Sequence, residues 1–524
     1  MAGLIRVCRF VLAVLLFPGL AALSATSVST TSAQTTGALY AYHQITNLTE
    51  GSGNLGFPVL SADGSTAVFS DAPGTQDPAT PNRIYTIASD GSGLAEVDSY
   101  VPLCFCGAIV DINSDGTAVV SSDSMQIRLA GSAGVVPLIT LTSNEISTVA
   151  ITGDGLTVYF LVRRDAAIAE SGEPVTRGIW AIDASGANLR QLVSADAVAA
   201  AAGVPIEQTG CCFHGDGGPL DISTDGGQLA FGAFAGTGEH VFTADGSGGS
   251  LTIIRENVNY VFRVAISGDG STAAYDVLPF ESSTNELGVV STGGGEAVVM
   301  PGAPNGGFDE PIQLSDDGST LLVSPNGLLF DSASGDVNQL AISIPNLGGS
   351  QEAVLTDGLA RSTMDASAQK FLYVMRTVRC ADCANLQEQL ATMDIDPVTL
   401  GQSPVIADAT IDPASIPLDG SASTTVQATI ESADPVLGVG FSALVGGLFD
   451  TNVGSGAVLL DDGSNGDTAA GDGIFATQSI SYVPVVIREN DGGPRTVRIA
   501  AEVETADGMR HATAADIGTL TVEG

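Results

Sequence analysis

The fold of this chain is decided by a short stretch that recurs along it, and the clearest copy is Val264-Ala265-Ile266-Ser267-Gly268-Asp269-Gly270-Ser271-Thr272-Ala273-Ala274-Tyr275. The copy consists of an apolar run, an Asp-Gly pair and a second apolar run. Asp hydrogen-bonds the backbone two residues ahead, and Gly adopts positive φ without steric cost. An Asp-Gly pair between apolar runs therefore predicts two antiparallel strands joined by a tight turn.

Six copies of this hairpin follow one another. Their turns are Asp63-Gly64, Asp115-Gly116, Asp154-Gly155, Asp225-Gly226, Asp269-Gly270 and Asp317-Gly318. A seventh, degenerate copy is Ser362-Thr363-Met364-Asp365-Ala366-Ser367, followed by an apolar run at 371–374. Successive aspartates are 39 to 71 residues apart, and the longest interval contains an Ala-rich insertion. Recurrence at this period indicates a repeat architecture.

A second hairpin follows the first in several copies. Its clearest examples are the runs 83–87, 178–182, 241–243 and 328–330, which precede Asp-Gly or Ser-Gly turns. Two hairpins make four strands per repeat, and a four-stranded unit of about 40–50 residues is the blade of a β-propeller. The sequence therefore predicts an all-β fold with a seven-bladed β-propeller. The ring is closed either by residues 40–45 or by residues 404–406.

The repeat resembles the WD40-like (PD40) repeat of the TolB-type propellers. The resemblance rests on the pattern Ser-x-Asp-Gly-x-x-x-Ala/Val-Phe, the aromatic strand after it and the second Gly turn, and it covers residues 40–403. It implies a binding platform or the gating domain of a serine peptidase. The family usually has Pro before the Asp, where this chain has Ala62, Ser114, Gly153, Thr224, Gly268 and Asp316.

The composition restricts the classes of partner. The chain has 59 acidic and 18 basic side chains among 524 residues, a net charge of −41 and a single lysine, Lys370. Proteins that bind nucleic acid rely on Lys and Arg to contact phosphates. We therefore expect no nucleic-acid partner.

Residues 1–33 have the features of a secretory signal peptide. Arg6 and Arg9 precede an apolar run at 10–23, and Thr31-Ser32-Ala33 offers a cleavage site. The apolar run is short for a spanning helix, and no later stretch is long and apolar enough to cross a membrane. We expect an exported protein, periplasmic or extracellular, with no transmembrane segment after signal removal.

The repeat ends near residue 403, so residues 34–403 form the predicted propeller and residues 404–524 a second domain. Alternating apolar residues at 425–430 and 497–503 predict strands, and the length suits a β-sandwich. Residues 409–420 and 460–475 resemble bacterial immunoglobulin-like domains. The resemblance implies an immunoglobulin-like β-sandwich.

An acidic loop in this second domain is a candidate calcium site. Asp461, Asn465 and Asp472 fall at positions 1, 5 and 12 of an EF-hand-like count, and Asp467 adds a carboxylate. Calcium takes six to eight oxygen ligands on a tightly turning loop. Position 3 is Gly463, which offers no side-chain ligand. The alternative is a long turn whose Asp and Asn side chains cap the backbone.

Six cysteines follow the leader in three close pairs. They are Cys104 and Cys106, Cys211 and Cys212, and Cys380 and Cys383. An even number in an exported chain predicts disulfides, whose connectivity stays open. Their places between the predicted strands put all three pairs on one rim of the propeller. A zinc site that includes His214 is one alternative, and free redox thiols are another.

Two acidic residues occupy the same place in the second and fourth inner strands. They are Asp111 and Asp221, where other copies have Ala150, Ala265 and Gln313. They are candidates for lining the central channel, where they would bind a cation or a polar ligand. The alternative is that they face channel water or hydrogen-bond a neighbouring blade.

Motifs of known catalytic chemistry are missing from the sequence. It contains no Gly-x-Ser-x-Gly elbow, no His-Glu-x-x-His and no Walker loop. The sequence therefore favours an exported, non-enzymatic binding or scaffold protein, whose propeller face engages a protein or glycan partner. The only cofactor that it suggests is calcium. The alternative is a propeller hydrolase or lyase that uses acids lining the channel.

Overall fold

The structure, a computed structural model, consists almost entirely of antiparallel strands. It describes residues 31–33, 40–48, 54–56, 58–72, 81–100, 109–208, 219–280, 282–300, 312–324, 327–340, 362–378, 386–395, 403–446, 448–453, 457–464, 467, 469–483, 492–506 and 508–524. Within these ranges one α-helix, Ala195–Ala202, and two 3-10 helices, Ile206–Gln208 and Thr451–Val453, join the strands. None of the helices described has the length and apolarity to cross a membrane.

The first strands form four-stranded antiparallel blades, each beginning with an inner strand that an Asp-Gly turn joins to the next. The first three blades are Val59–Leu60, Thr66–Ala72, Asn82–Ala88 and Ala95–Tyr100; Ile109–Ile112, Val119–Ser122, Gln126–Gly131 and Gly134–Thr140; and Ile146–Ile151, Thr157–Val162, Gly178–Asp183 and Arg190–Ser194. Asn54–Leu55 extends the first blade, and Ala166–Ala167 pairs with Pro174–Val175 beside the third.

The next blades follow the same pattern. A single long strand, Thr252–Ile266, ends the fourth blade and begins the fifth. The remaining strands are Leu220–Ile222, Gln228–Ala235 and Gly238–Asp245 in the fourth; Thr272–Pro279, Glu286–Ser291 and Val298–Val299 in the fifth; Ile312–Leu314, Thr320–Val323, Leu328–Asp331 and Val337–Gln339 in the sixth; and Ser362–Met364, Lys370–Val378 and Leu386–Ile395 in the seventh. The predicted all-β propeller fold is confirmed.

Backbone hydrogen bonds join the turns that follow the inner strands. Among the residues described, the donor N–H and acceptor oxygen pairs are Asp63 to Ser114 (3.1 Å), Ser114 to Gly153 (3.1 Å), Gly153 to Thr224 (2.7 Å), Thr224 to Gly268 (3.0 Å), Asp269 to Asp316 (2.9 Å), Asp316 to Ala366 (2.7 Å) and Ala366 to Ala62 (2.9 Å). The series runs from the first blade to the seventh and back to the first. We call it the turn ring, because it closes the propeller at one face.

The turn ring explains why Pro is absent before several of the aspartates. Thr224 is the second residue of a β-turn in which the Gly226 N–H donates to Ser223 O at 2.8 Å. Pro fits this turn position, but it lacks the N–H that Thr224 donates to the next turn. The same N–H is donated by Ser114, Gly153 and Asp316.

The strand Tyr40–Gln44, which we call the closing strand, completes the seventh blade. It pairs antiparallel with Leu386–Ile395. The other candidate, residues 404–406, lies at the start of Val405–Asp412, which pairs with Ser423–Glu431 in the second domain. The outer edge of the closing strand pairs with the last strand of the chain, Arg510–Glu523. The closing strand therefore lies between the propeller and the C-terminal domain.

The C-terminal domain is a sheet that wraps around its own apolar core. Its elements are Val405–Asp412, Ser415–Pro417, Ser423–Glu431, Val436–Val445, Leu448–Phe449, Ala457–Leu460, Ile474–Thr477, Ile480–Ser481, Gly493–Glu504 and Arg510–Glu523. Ser415–Pro417 pairs parallel with the last strand, and this contact closes the wrap. The core includes Val426, Phe441 and Ile499, each 0% exposed. Thr31–Ala33, the predicted cleavage site, pairs with Val405–Asp412, whereas the rest of the predicted leader lies outside the described residues.

Candidate functional site

The predicted channel acids belong to a row of residues that alternate in size around the propeller. The row is the fourth position before the turn aspartate in the inner strands of the second to sixth blades, and before Ser367, which takes the place of that aspartate in the seventh blade. It holds Asp111, Asp221 and Gln313 in the second, fourth and sixth blades, and Ala150, Ala265 and Thr363 in the third, fifth and seventh. Each long polar side chain is therefore followed by a smaller residue in the next blade, which leaves it room to reach across.

All three long side chains make the same contact with the next blade. Asp111 Oδ2 accepts the N–H of Ile151 at 2.8 Å, and Asp221 Oδ2 accepts the N–H of Ile266 at 2.9 Å. Gln313 Oε1 accepts the N–H of Met364 at 2.8 Å. The three donors are equivalent residues of consecutive odd-numbered blades. We call these contacts the blade latches.

The second oxygen of each latch carboxylate is also occupied. Asp111 Oδ1 accepts the N–H of Ile112, and Asp221 Oδ1 accepts the N–H of Ile222, both at 2.9 Å. Burial raises the pKa of Asp111 to about 7 and that of Asp221 to about 6, although the N–H donors act in the opposite direction. The charge of Asp221 also raises the pKa of Asp111.

The turn ring narrows the channel at the end toward which the inner strands run. Hydrogen-bonded neighbours lie about 4.8 Å apart, so seven joined turns enclose a circle about 11 Å across between backbone centres. At this end, the Thr224 hydroxyl lies 3.3 Å from Asp316 Oδ1, two blades away. Gly268 of the intervening blade permits this approach, because a Cβ there would lie 1.5 Å from Asp316 Oδ1. These two exposed side chains thus bridge the turns of the fourth and sixth blades across the turn of the fifth.

The turn aspartates support their own turns. Asp269 Oδ1 accepts the Ser267 hydroxyl at 2.7 Å and the Ser271 N–H at 2.9 Å. These hydrogen bonds, led by that from Ser267, hold the pKa of Asp269 below its usual range. Asp63 and Asp317 make equivalent contacts. The carboxylates around the turn ring therefore have a structural role.

Exposed aromatic side chains lie on the opposite face of the fifth blade. Tyr260 is 36% exposed and lies before the inner-strand segment that leads to the turn ring, and Phe280, 45% exposed, follows the strand that leads away from it. The Tyr260 ring centroid lies 6.1 Å from that of Phe262. We call Tyr260, Phe262 and Phe280 the aromatic rim.

The acidic loop of the C-terminal domain brings three predicted ligands together. One carboxylate oxygen from each of Asp461, Asp467 and Asp472 lies within 4.8 Å of the others. Asp461 also accepts the N–H of Gly473 at 3.0 Å. The carboxylates thus cap the loop backbone while they converge on one point. A groove of about 530 Å³, floored by apolar side chains such as Phe475, adjoins Asp461.

Several predicted site residues fall outside the described residues. They are Asn465 of the acidic loop, the six cysteines Cys104, Cys106, Cys211, Cys212, Cys380 and Cys383, and His214. The sequence did not identify Gln313 as the third latch, although its place in the row was visible. It also did not identify the aromatic rim, because Tyr260 and Phe262 precede the repeat and Phe280 ends it.

Comparison with known proteins gives only distant similarities. No family model matches the sequence, and no curated protein matches it. Similar solved structures include an oligogalacturonate lyase in complex with manganese (TM-score 0.44, 12% identity, 71% of this chain and 96% of that chain). An oligogalacturonate lyase from Vibrio parahaemolyticus has a TM-score of 0.42 at 12% identity over 70% of this chain and 97% of that chain. TolB from Acinetobacter baumannii has a TM-score of 0.33 at 14% identity over 54% of this chain and 62% of that chain. Similarity at this level carries no argument about activity, and the fold rests on the strand pairing described above.

Proposed function

We propose that the chain is an exported, non-enzymatic binding or scaffold protein whose propeller engages a protein or glycan partner. One observation carries the proposal: both oxygens of Asp111 and of Asp221 accept backbone N–H groups. A catalytic carboxyl has to come within hydrogen-bond reach of a substrate proton. The two channel acids instead hold neighbouring blades together.

The partner docks on the face opposite the turn ring. Thr224 and Asp316 hydrogen-bond each other across one turn of the turn ring, whereas Tyr260 and Phe280 expose large aromatic surfaces at the other end of the blade. Aromatic side chains are enriched where proteins bind partners, because they bury a large area at little cost in conformational entropy. The sequence predicts that the three cysteine pairs, which lie outside the described residues, belong to the same face, where disulfides would stiffen the loops.

The proposed setting is the periplasm or the extracellular space. The leader pattern of residues 1–33 supports export. The net charge of −41 supports a partner other than nucleic acid. We also assign residues 404–524 to an immunoglobulin-like domain, because the chain after Val405–Asp412 crosses to pair with the last strand.

Calcium is the proposed ligand of the acidic loop. Asp461, Asp467 and Asp472 offer three convergent carboxylates, and Asn465 is the predicted fourth side-chain ligand. Calcium prefers oxygen ligands of this kind and takes backbone carbonyls to complete its shell. The ion would stabilise the loop beside the groove.

The second candidate function is a propeller hydrolase or lyase. It is favoured by the raised pKa values of Asp111 and Asp221, about 7 and about 6. A carboxyl that is partly protonated near neutral pH is suited to general acid catalysis. Such an enzyme would have to release at least one carboxylate oxygen from its latch.

Two assays on residues 34–524 separate these functions. The first measures product formation from bacterial envelope polysaccharides and peptides, for which we expect none. Turnover that Asp111→Asn or Asp221→Asn abolishes would establish the enzyme instead.

The second assay measures binding to the same immobilised materials. A Tyr260→Ala/Phe280→Ala variant should bind at least about tenfold more weakly, which corresponds to about 1.4 kcal/mol. Leu156→Ala is the matched control, because Leu156 is 63% exposed beside a turn-ring turn.

A further inference from the structure

The border between the propeller and the C-terminal domain contains two histidines directly opposite each other. His43 belongs to the closing strand and His511 to the last strand, and the two are register partners. Their Nδ1 atoms lie 2.6 Å apart, and their ring centroids are 4.9 Å apart. The two side chains therefore form a hydrogen bond between the closing strand and the last strand, whose pairing joins the propeller to the C-terminal domain.

The hydrogen bond depends on how many protons the pair carries. A contact of 2.6 Å between two ring nitrogens requires a proton on one Nδ1 and a lone pair on the other. The contact survives when neither imidazole is charged, and also when one is. When both are charged, two N–H groups face each other, and two positive charges lie a few ångströms apart.

The surroundings of His43 oppose a positive charge on its ring. His511 is 7% exposed, and Nε2 of His43 is buried without a hydrogen-bond partner among the residues described. On the blade side, the positive charge of Lys370 acts on His43. Asp394 lies 3.7 Å from Lys370 and neutralises part of that charge.

Other charged groups near the pairing of the closing strand with the last strand have partners of their own. Asp90, in a first-blade turn, interacts with Lys370. Arg510 neighbours His511 in the last strand, so its side chain points to the other face of the sheet. There it lies 3.8 Å from Glu502 and 3.7 Å from Glu504. Val503, the register partner of His511 on the remaining side, is uncharged.

We propose that the His43–His511 pair is an acid-sensitive latch: when both imidazoles take up protons, the last strand separates from the closing strand and the C-terminal domain is released from the seventh blade. The closing strand keeps its other hydrogen-bonded edge, against Leu386–Ile395. Acid therefore frees the domain before it opens the propeller ring. The proposal is independent of which partner the propeller binds.

The direction of the pH effect follows from the pKa of His43. Burial, followed by the charges of His511 and Lys370, lowers this pKa from 6.5 to about 4. The separated state binds a proton on His43 below about pH 6.5, whereas the joined state does not until about pH 4. The equilibrium therefore shifts toward separation as the pH falls through this window, by up to about tenfold per pH unit for this group.

Hydrogen exchange on the full chain from residue 34 tests the proposed role of the His43–His511 pair. Exchange of closing-strand and last-strand amides, corrected for the intrinsic effect of pH, should accelerate as the pH falls from about 6.5 to about 4. Amides of the second to sixth blades should not follow. The double variant His43→Leu/His511→Leu should lose this acceleration, while His240→Leu, which removes a histidine of the fourth blade, should keep it. The same acceleration in the double variant would overturn the proposal.

A second measurement decides the matter if the double variant does not fold. The ring protons of His43 and His511 can be followed by NMR in the wild-type chain as the pH is lowered. The proposal requires that one of the two rings titrates well below pH 6.5. It also requires that this titration coincides with the loss of exchange protection in the last strand. Independent titration of both rings near pH 6.5, while the closing strand and the last strand stay paired, would overturn the proposal.

Discussion

The carboxylate of Asp221 in the fourth blade accepts the backbone N–H of Ile266 in the fifth at 2.9 Å. Its other oxygen accepts the N–H of Ile222 in its own strand. One side chain thus ties the inner strands of two consecutive blades together. Asp111 and Gln313 repeat the contact at two further blade borders. The acids that first suggested a reactive channel are therefore part of what holds the ring closed.

Removing a blade latch should destabilise the propeller. Asp221→Ala leaves the N–H groups of Ile266 and Ile222 without their acceptor, which costs about 1–3 kcal/mol of unfolding free energy for each group that stays buried. Urea unfolding of the full chain measures this loss. Glu256→Ala, which removes an exposed acid from the strand Thr252–Ile266, should change the unfolding free energy by less than about 0.5 kcal/mol. Equal effects of the two variants on the unfolding free energy would contradict a stabilising role of the Asp221 blade latch.

The latch carboxyls should also make stability depend on pH. Their pKa values in the folded chain, about 7 for Asp111 and about 6 for Asp221, lie above the ordinary 3.8. The folded state therefore retains protons that the unfolded state releases as the pH rises from about 4. The contribution of each group to the unfolding free energy is highest below pH 4 and declines toward pH 7, by up to about 1.4 kcal/mol per pH unit.

The variant Asp111→Asn isolates this dependence, because an amide does not titrate. Unfolding free energies of the variant should fall less steeply than those of the wild type between about pH 4 and pH 7. The difference between the two slopes is the quantity to measure, since other groups titrate in both chains. Parallel slopes would show that Asp111 has an ordinary pKa.

The turn ring makes a prediction about proline. Ala62 and Thr224 both occupy the second position of a β-turn, which Pro fits. In the first blade, the N–H that donates the turn-ring hydrogen bond belongs to Asp63. In the fourth blade, it belongs to Thr224 itself. Thr224→Pro should therefore lose about 1–3 kcal/mol of stability, and Ala62→Pro should lose much less. Thermal melts of the two variants provide the comparison, and a larger loss in Ala62→Pro would refute the turn ring.

Calcium should stabilise the C-terminal domain if it binds the acidic loop. Excess calcium at 100 times its dissociation constant adds about 2.7 kcal/mol to the native state. A calorimetric melt of residues 34–524 in calcium and in EDTA should show one shifted transition, and Asp461→Ala or Asp472→Ala should abolish the shift. Asp419→Ala, at an exposed turn of the same domain, is the control. No shift in the wild type would leave the loop as a capped turn.

The propeller was predictable because its signal is local. Each Asp-Gly turn lies within a dozen residues of the two strands that it joins, so a single copy such as Asp269-Gly270 already specifies a hairpin. Its repetition supplies the architecture. The row that holds Asp111 and Asp221 was visible for the same reason.

The roles of those residues were not predictable, because they depend on contacts between distant parts of the chain. Asp221 and Ile266 are 45 residues apart, and His43 and His511 are 468 apart. Nothing in the apolar pattern distinguished residues 40–45 from 404–406 as the closing strand, since both runs suit an edge of the sheet. The outcome depends on pairing with Leu386–Ile395, which only the assembled seventh blade provides.

The most direct test of the binding proposal is a hydrogen-exchange footprint of residues 34–524, with and without the envelope polysaccharide or protein to which the chain binds. The account predicts slower exchange at residues 257–262 and 278–280, around the aromatic rim, with the turn ring unchanged and no product formed. Slower exchange at the turn ring instead of the rim, or conversion of the bound material to product, would contradict it.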